Sequence, residues 1–250
     1  YSQVGSPENA IKVFKAIAPS GYMDLAVRLA EGYASQGEYD KSTRLFKKII
    51  AEYKDAQDQY KVVEYQRAIL ENAYKLGAKA RVVEEARRLI GLLDKFQKDA
   101  PEKFLKPEME KAEELVRVIA TTYHKEVAVT KEEATMEFTH LLYNEYLRLF
   151  PNSPEYFMMT FNYAQLLFQL EKYAEAATRF TTIVDLQPNG PVAVEAAHQA
   201  VSSYYKLIDL TKNKTKSDDT GDTEAKELPE FETKLVKACE RYLSMAPKGA

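Results

Sequence analysis

Side chains that could carry chemistry are sparse in this sequence and lie far apart. The three histidines, His124, His140 and His198, have no HExxH motif or similar spacing around them, although a metal site needs several ligands together. Cys239 is the single cysteine, which excludes an intramolecular disulfide and a multi-cysteine metal site. No glycine-rich phosphate loop, GxSxG or CxxC motif occurs. We therefore predict no catalytic residue, no metal site and no cofactor, and we expect Cys239 to be a buried, unreactive thiol.

Acidic side chains cluster once, in a polar segment near the end of the chain. Several carboxylates between 218 and 224 surround Gly221, but their order differs from the ligand order of an EF-hand calcium loop. The segment 211–228 that contains them has Leu228 as its only apolar side chain larger than alanine. Such a composition buries too little apolar surface to offset the entropy lost on ordering. We therefore predict a flexible, solvated loop inserted at 211–228.

The charge and hydropathy of the chain argue against two classes of protein. The formal net charge is −3 and the isoelectric point is near 5.8, whereas a nucleic-acid-binding domain needs an excess of Lys and Arg to neutralise phosphates. No apolar run reaches the roughly 18 residues that span a bilayer. We predict no nucleic-acid partner and no transmembrane segment, and no motif indicates a small-molecule substrate.

The elements that must position any functional residue are predicted to be helices throughout. The sequence has 9 Gly and 10 Pro in 250 residues, too few for the many turns of a β-rich fold. Apolar residues recur at intervals of three and four among the strong helix formers Glu, Lys, Gln and Arg. This periodicity predicts about eleven helices with short connections, which favour antiparallel neighbours. One of these helices is predicted to begin at Pro107.

Two segments carry similar residue types at identical offsets. Their matching positions are Leu29, Ala30, Tyr33, Gly37, Tyr39, Phe46 and Ile49 in the first, and Tyr163, Ala164, Leu167, Glu171, Tyr173, Phe180 and Ile183 in the second. This spacing resembles the tetratricopeptide repeat (TPR), a helix–turn–helix unit of about 34 residues. The resemblance implies that Tyr39 and Tyr173 each begin a second helix and cover the turn. It also implies that Phe46 and Phe180 project into the joint with the next helix pair.

The resemblance implies an all-α fold, a right-handed α-solenoid of antiparallel, TPR-like helix pairs over residues 1–250. One pair cannot bury its apolar face alone, so neighbouring pairs must stack. The match is closest over 22–54 and 152–188 and poorest over 55–106. The opening helix matches the second helix of a pair, and the sequence stops at Pro247-Lys-Gly-Ala, where another pair would begin. We therefore expect a single array that is a fragment of a longer one.

What the family resemblance implies about function is protein–protein binding. TPR arrays present a concave groove, made by the first helix of each pair, that holds an extended or helical segment of a partner protein. Transferred by offset, the residues that would line this groove are Met158, Phe161, Asn162, Gln165, Phe168, Val194, His198, Val201 and Ser202. The alternative is that Phe161 and Phe168 only pack between neighbouring helices. The carboxylate clamp of the family is not reproduced, because Asn162 matches one of its members but its lysines are missing.

Two connecting segments are similar to those of one group within the family. Leu149-Phe-Pro-Asn-Ser-Pro-Glu155 and Leu186-Gln-Pro-Asn-Gly-Pro191 resemble the linkers of bacterial envelope scaffolds, such as lipoproteins of the BamD kind and periplasmic partners of the Tol–Pal system. The resemblance implies a non-catalytic scaffold of an envelope assembly, secretion or motility complex, in the periplasm or at the outer membrane. Two alternatives stay open. One is a cytoplasmic regulatory domain attached to an enzyme outside this sequence, and the other is a helical toroid-type enzyme, which would need paired carboxylates facing one cavity.

Overall fold

The structure is a computed structural model and describes residues 6–53, 58–215 and 224–246. Within those ranges, 84% of the residues are helical and none lies in a β-strand. The helical residues form 11 α-helices and a 3-10 turn at Gln59–Lys61. The predicted all-α fold and the expected number of helices are therefore confirmed.

The helices fall into two compact units. In the first, which ends at Leu149, they are α1 (Pro7–Ile17), α2 (Tyr22–Ser35), α3 (Tyr39–Glu52), α4 (Val62–Lys75), α5 (Lys79–Phe96), α6 (Glu102–Thr130) and α7 (Glu133–Leu149). In the second, which begins at Phe150, they are α8 (Tyr156–Gln169), α9 (Tyr173–Leu186), α10 (Ala193–Thr215) and α11 (Glu224–Met245). Within each unit, consecutive helices pack on one another, as stacked hairpins do. One array over 1–250 is the prediction from the sequence, whereas the contacts divide the chain at Leu149.

Three hairpin turns share one backbone geometry. Gly37 follows α2 and Gly77 follows α4 with φ values of 78° and 69°, and Glu171 follows α8 with a φ of 59°. At Gly37 and Glu171, this residue and the next one donate their N–H groups to carbonyls of the preceding helix, at 2.9–3.1 Å. That pattern is the Schellman motif, which favours glycine at its left-handed position. Gly37 and Glu171 are therefore equivalent, as their offsets predict. Gly77 shares the left-handed φ in the segment where the sequence match is poorest, and its N–H donates to the carbonyl of Tyr74 at 3.0 Å.

Small and aromatic side chains fill the hairpin cores. Three alanines of the two matching segments are fully buried: Ala30, Ala164 and Ala176. Phe46 stacks on Tyr65 of the next hairpin with ring centroids 5.9 Å apart, as the repeat spacing predicts. Phe180 is also fully buried, and its ring lies 5.6 Å from that of Phe161, which belongs to the same hairpin. The Phe46 contact thus joins two hairpins of the first unit, whereas the Phe180 contact lies inside one hairpin of the second.

A buried carboxylate connects three helices of the first unit. Glu85 of α5 accepts hydrogen bonds from Lys47 of α3 and Gln66 of α4, both at 2.8 Å. Burial disfavours the charge of Glu85, but these hydrogen bonds and the positive charges of Lys47 and Arg88 outweigh that penalty. The pKa of Glu85 therefore lies below its ordinary value.

A second carboxylate repeats this arrangement between α4 and α6. Glu108 accepts a hydrogen bond from Arg67 of α4 at 2.9 Å and one from Lys111 at 2.7 Å. Burial again opposes the charge, and the hydrogen bonds from Lys111 and Arg67 hold the pKa of Glu108 below its ordinary value. Because each buried carboxylate needs its cations at one place, these contacts favour a single register between the helices.

The prediction that a helix begins at Pro107 is wrong, because Pro107 lies inside α6. Phe104 and Leu105 both donate their N–H groups to the carbonyl of Pro101 at 2.9 Å, which starts the helix earlier. The added turn is anchored by the ring of Phe104, which lies 4.8 Å from that of Tyr60. Proline has no N–H group, so α6 continues past Pro107 without the backbone hydrogen bond that this residue would otherwise donate to the carbonyl of Lys103.

The prediction of a loop over 211–228 is wrong at both of its ends. α10 continues to Thr215 and α11 begins at Glu224, so both ends of the segment are helical, and 216–223, with its aspartates, lies outside the described residues. Lys, Glu and Ala are good helix formers, so a polar composition by itself does not end a helix. The prediction of a loop is therefore wrong for 211–215 and 224–228, and for 216–223 it stays a prediction.

Candidate functional site

Side chains from three helices of the second unit line an open groove, here termed the apolar groove. The lining residues are Phe168 of α8, Val201, Ser202, Tyr205 and Lys206 of α10, and Leu235 and Cys239 of α11. The groove has a volume of about 440 Å³, which is in the range of small-molecule and side-chain binding pockets.

The packing of α10 decides which of its side chains face the apolar groove. α10 contacts both α9 and α11, and it buries Ala196, Ala200 and Ser203. Residues three and four positions apart share one face of a helix, so burial of that face leaves Val201 and Tyr205 on another one. Tyr205 is 61% exposed, which is unusual for an aromatic side chain next to an apolar cavity.

The edge of the apolar groove is fixed by the turn of the α8–α9 hairpin. The ring of Phe168 lies 5.0 Å from that of Tyr173, at an interplanar angle of 71°. This edge-to-face contact is a favoured aromatic geometry, and it holds the half-buried Phe168 ring in place. The prediction that Tyr173 begins a helix and covers the turn is confirmed, and the contact also positions a groove residue.

The structure brings together three of the residues predicted to line the concave groove, namely Phe168, Val201 and Ser202. Phe161 is 7% exposed and its ring packs on Phe180. The assignment of Phe161 to the groove is therefore wrong, because its side chain fills the core of its own hairpin. The alternative of packing between helices describes Phe161, while Phe168 packs on a neighbour and lines the groove as well.

The other predicted residues do not line the apolar groove: Met158, Asn162, Gln165, Val194 and His198. Met158 and Val194 are exposed, and Asn162 and Gln165 are half-buried. His198 is exposed, and its ring lies 5.4 Å from that of Tyr242 of α11. These residues stay predictions for a longer binding surface along α8 and α10.

Four lining residues were missed by the sequence-based prediction. Tyr205 and Lys206 follow Val201 and Ser202 by one helical turn, so extending the predicted stripe would have found them. Leu235 and Cys239 come from α11, whereas the family pattern draws groove residues from the first helix of each pair. The expectation that Cys239 is buried is wrong, because α11 packs on α10 and none of its side chains that the structure describes is buried.

The histidines lie in separate environments. The Nδ1 atom of His124 lies 2.9 Å from the hydroxyl oxygen of Tyr143, and burial lowers the pKa of His124, which favours its neutral form. His140 is half-buried in α7, and His198 is exposed in α10. Among the described residues, no three His, Cys, Asp or Glu side chains are grouped as a metal site requires. Over the same residues, no helix has the length and apolar composition to cross a membrane.

No family model matches the chain, and no curated protein sequence matches it. The solved structures to which the chain is similar include helical repeat proteins. The nearly identical TPR-like repeats of a Podosopora anserina kinesin light chain are 12% identical, with 88% of this chain and 95% of that chain covered and a TM-score of 0.38. Acl4, an assembly chaperone of RpL4, is 13% identical over 95% of this chain and 99% of its own, with a TM-score of 0.35.

A third solved structure is the TPR2AB domain of yeast Sti1 in complex with pHSP90. It is 16% identical, with 93% of this chain and 92% of that chain covered and a TM-score of 0.30. None of these structures superimposes closely on this chain, so the candidate site is defined by the residues of the chain itself.

Proposed function

We propose that this chain is a non-catalytic interaction scaffold that holds a peptide segment of a partner protein in the apolar groove. The observation that carries the proposal is Tyr205, an aromatic side chain 61% exposed beside Phe168, Val201 and Leu235. Tyrosine contributes disproportionately to the free energy of protein–protein binding, because its ring is apolar and its hydroxyl can hydrogen-bond.

The partner segment that fits presents one or two large apolar side chains to the groove. A volume of about 440 Å³ accommodates such side chains, and Phe168, Val201 and Leu235 supply apolar contacts. The hydroxyl groups of Ser202 and Tyr205 provide hydrogen-bonding groups for the backbone of the segment. The described lining includes no histidine or carboxylate that would activate Ser202 or Cys239 as a nucleophile, which supports binding rather than catalysis.

Affinity purification with two matched variants tests this function. Tyr205→Ser removes an exposed ring from the groove, and Leu243→Ser removes a side chain that is 72% exposed on α11 and does not line the groove. Proteins captured from the source cells by the wild-type chain are identified by mass spectrometry, and the binding of one purified partner is then measured.

We expect Tyr205→Ser to weaken that binding at least tenfold, as for an interface tyrosine worth more than about 1.4 kcal/mol, and Leu243→Ser to leave it unchanged. Both variants should keep the wild-type circular dichroism and melting temperature. Equal affinity of wild type and Tyr205→Ser for the partner, or an equal loss of affinity in both variants, would show that the apolar groove is not the binding site.

The second part of the proposal concerns location: a bacterial envelope scaffold, in the periplasm or at the outer membrane, within an assembly, secretion or motility complex. It is supported by the Pro-Asn linkers before α8 and before α10, which resemble those of envelope scaffolds. The gene that encodes the full-length protein tests it. A signal peptide or lipobox upstream, with recovery of the protein in the envelope fraction, is the expected result. A kinase or cyclase signature in the same gene would favour the cytoplasmic regulatory domain instead.

A further inference from the structure

A second groove, here termed the basic groove, opens on a different face of α10. Its buried floor is formed by Val184 of α9 and by Ala197, Ala200 and Tyr204 of α10. Lys234, Lys237 and Arg241 of α11 line its side, and their spacing of three and four residues places them on one face of that helix. The volume is about 320 Å³, enough for one or two side chains of a ligand.

The three cations of the basic groove differ in their partners. Arg241 pairs with the carboxylate of Asp185 and donates to the carbonyl oxygen of Val184 at 3.3 Å. Lys234 pairs with Glu230 at 2.5 Å. Lys237 forms no ion pair with any residue that the structure describes. Among the described residues, the positive charge of Lys237 is therefore unpaired, while those of Lys234 and Arg241 on either side are paired with carboxylates.

A buried hydroxyl in the lining of the basic groove also lacks a partner. Thr178 and Thr182 of α9 each donate to a backbone carbonyl one turn earlier, at 2.9 Å. Thr181, between them, lines the basic groove, and its Oγ1 is shielded from solvent with no hydrogen bond. Buried polar groups in folded proteins are nearly always hydrogen-bonded, so the Thr181 hydroxyl is an exception in the lining of this groove.

We propose that the basic groove binds an acidic segment of a partner protein, with one carboxylate on Lys237 and an apolar side chain on the floor formed by Ala200 and Tyr204. A carboxylate is favoured over a phosphate because Asp185 already shows a carboxylate bound to Arg241 here. Asp185 and Glu230 would repel the higher charge of a phosphate group and the continuous charge of a nucleic acid. This site is distinct from the apolar groove, since the two are lined by different residues of α10 and α11.

The test begins with random peptides displayed on phage, selected on the wild-type chain. An enriched peptide is then synthesised with its carboxylates intact and with each Glu or Asp replaced by Gln or Asn. Affinities are measured for the wild type, for Lys237→Gln and for the matched control Lys206→Gln, which removes a lysine of the apolar groove. Lys237 is exposed and unpaired among the described residues, so its replacement should not perturb folding.

We expect acidic peptides to be enriched, and we expect both Lys237→Gln and the amide peptide to weaken binding about tenfold, the size of one charge-assisted contact. Lys206→Gln and Tyr205→Ser should leave the acidic peptide bound, which separates this site from the apolar groove. Enrichment of neutral peptides alone, or insensitivity to Lys237→Gln, would overturn the proposal. So would competition by an oligothymidine or by the phosphoserine form of the peptide at equal or higher affinity, because the site would then be a general anion surface.

Discussion

In the first unit, Glu85 and Glu108 lie buried between helices and are held by basic side chains of other helices. In the second unit, the buried polar residues that the structure describes carry only hydroxyl groups: Thr160, Ser203 and Thr211. Each of these hydroxyls donates to a backbone carbonyl one turn earlier in its own helix, at 2.7–2.8 Å. Buried charges thus add cross-helix contacts to the apolar core of the first unit, whereas no buried charge occurs among the described residues of the second.

This difference shows two ways in which the helices of one chain are held together. A buried charge must meet its partner at one position, so it fixes which helices pair and in which register. Apolar packing has no such direction, and it stabilises roughly in proportion to the buried area. In the second unit, Tyr205 and Lys237 are exposed and line the two grooves proposed for partners.

The largest effect should come from the aromatic core of the second unit. Phe180 is 0% exposed and packs on Phe161, so Phe180→Ala should destabilise that unit by about 3–5 kcal/mol in urea unfolding. Tyr173→Ala should cost less, because the Tyr173 ring is half-buried over the turn. Hydrogen exchange should show the loss of protection in the second unit only. Uniform loss, including amides of 22–53, would mean that the whole chain is one cooperative core.

A buried charge should matter next. Glu85→Ala should destabilise the first unit by about 1–3 kcal/mol, because the Gln66 amide loses its carboxylate partner while Lys47 can return to water. Glu84→Ala is the matched control, since Glu84 pairs with Arg88 at the surface. Its replacement should change the free energy of unfolding by no more than ~0.5 kcal/mol. If the two variants unfold at the same urea concentration, the buried network does not stabilise the first unit.

The same carboxylates predict a smaller, pH-dependent effect. The pKa values of Glu85 and Glu108 are lowered in the folded state, so their contribution to stability is present above the unfolded-state value near ~4.3. It is lost as the pH falls through the lower, folded-state pKa values. Urea midpoints measured from pH 6 downwards should fall for the wild type and fall less for Glu85→Gln combined with Glu108→Gln. An identical pH dependence in both proteins would assign the acid sensitivity to other groups.

The smallest effect concerns a turn geometry that occurs in both units, at Gly37 in the first and at Glu171 in the second. Glu171 adopts the left-handed conformation at the position that Gly37 occupies, and a side chain there costs about 1 kcal/mol. Glu171→Gly should therefore stabilise the second unit by about 0.5–1 kcal/mol, whereas Gly37→Ala should destabilise the first by ~1 kcal/mol. A Cβ atom at Gly37 meets nothing within 4 Å, so its effect is conformational and not steric. Thermal denaturation measures both changes, and shifts of the same sign would contradict the shared geometry.

Much of the fold followed from short-range patterns. The period of apolar residues predicted the helices, and the shared offsets placed Gly37 and Glu171 at equivalent positions of their two hairpin turns. The candidate site was predicted in part, because the stripe ending at Val201 and Ser202 did face a groove. The assignment of Phe161 to the groove was wrong, because its side chain packs on Phe180 inside the α8–α9 hairpin.

The sequence by itself determined the number of helices and the hairpin turns at Gly37 and Glu171. These properties depend on periods and offsets of a few residues, which are written directly in the chain. The tertiary structure alone decided that Lys47 meets Glu85, that Leu235 and Cys239 join the apolar groove, and that Lys237 lines the basic one. Those contacts join residues far apart in sequence, and helical periodicity fixes a residue's face without fixing which helix that face will meet.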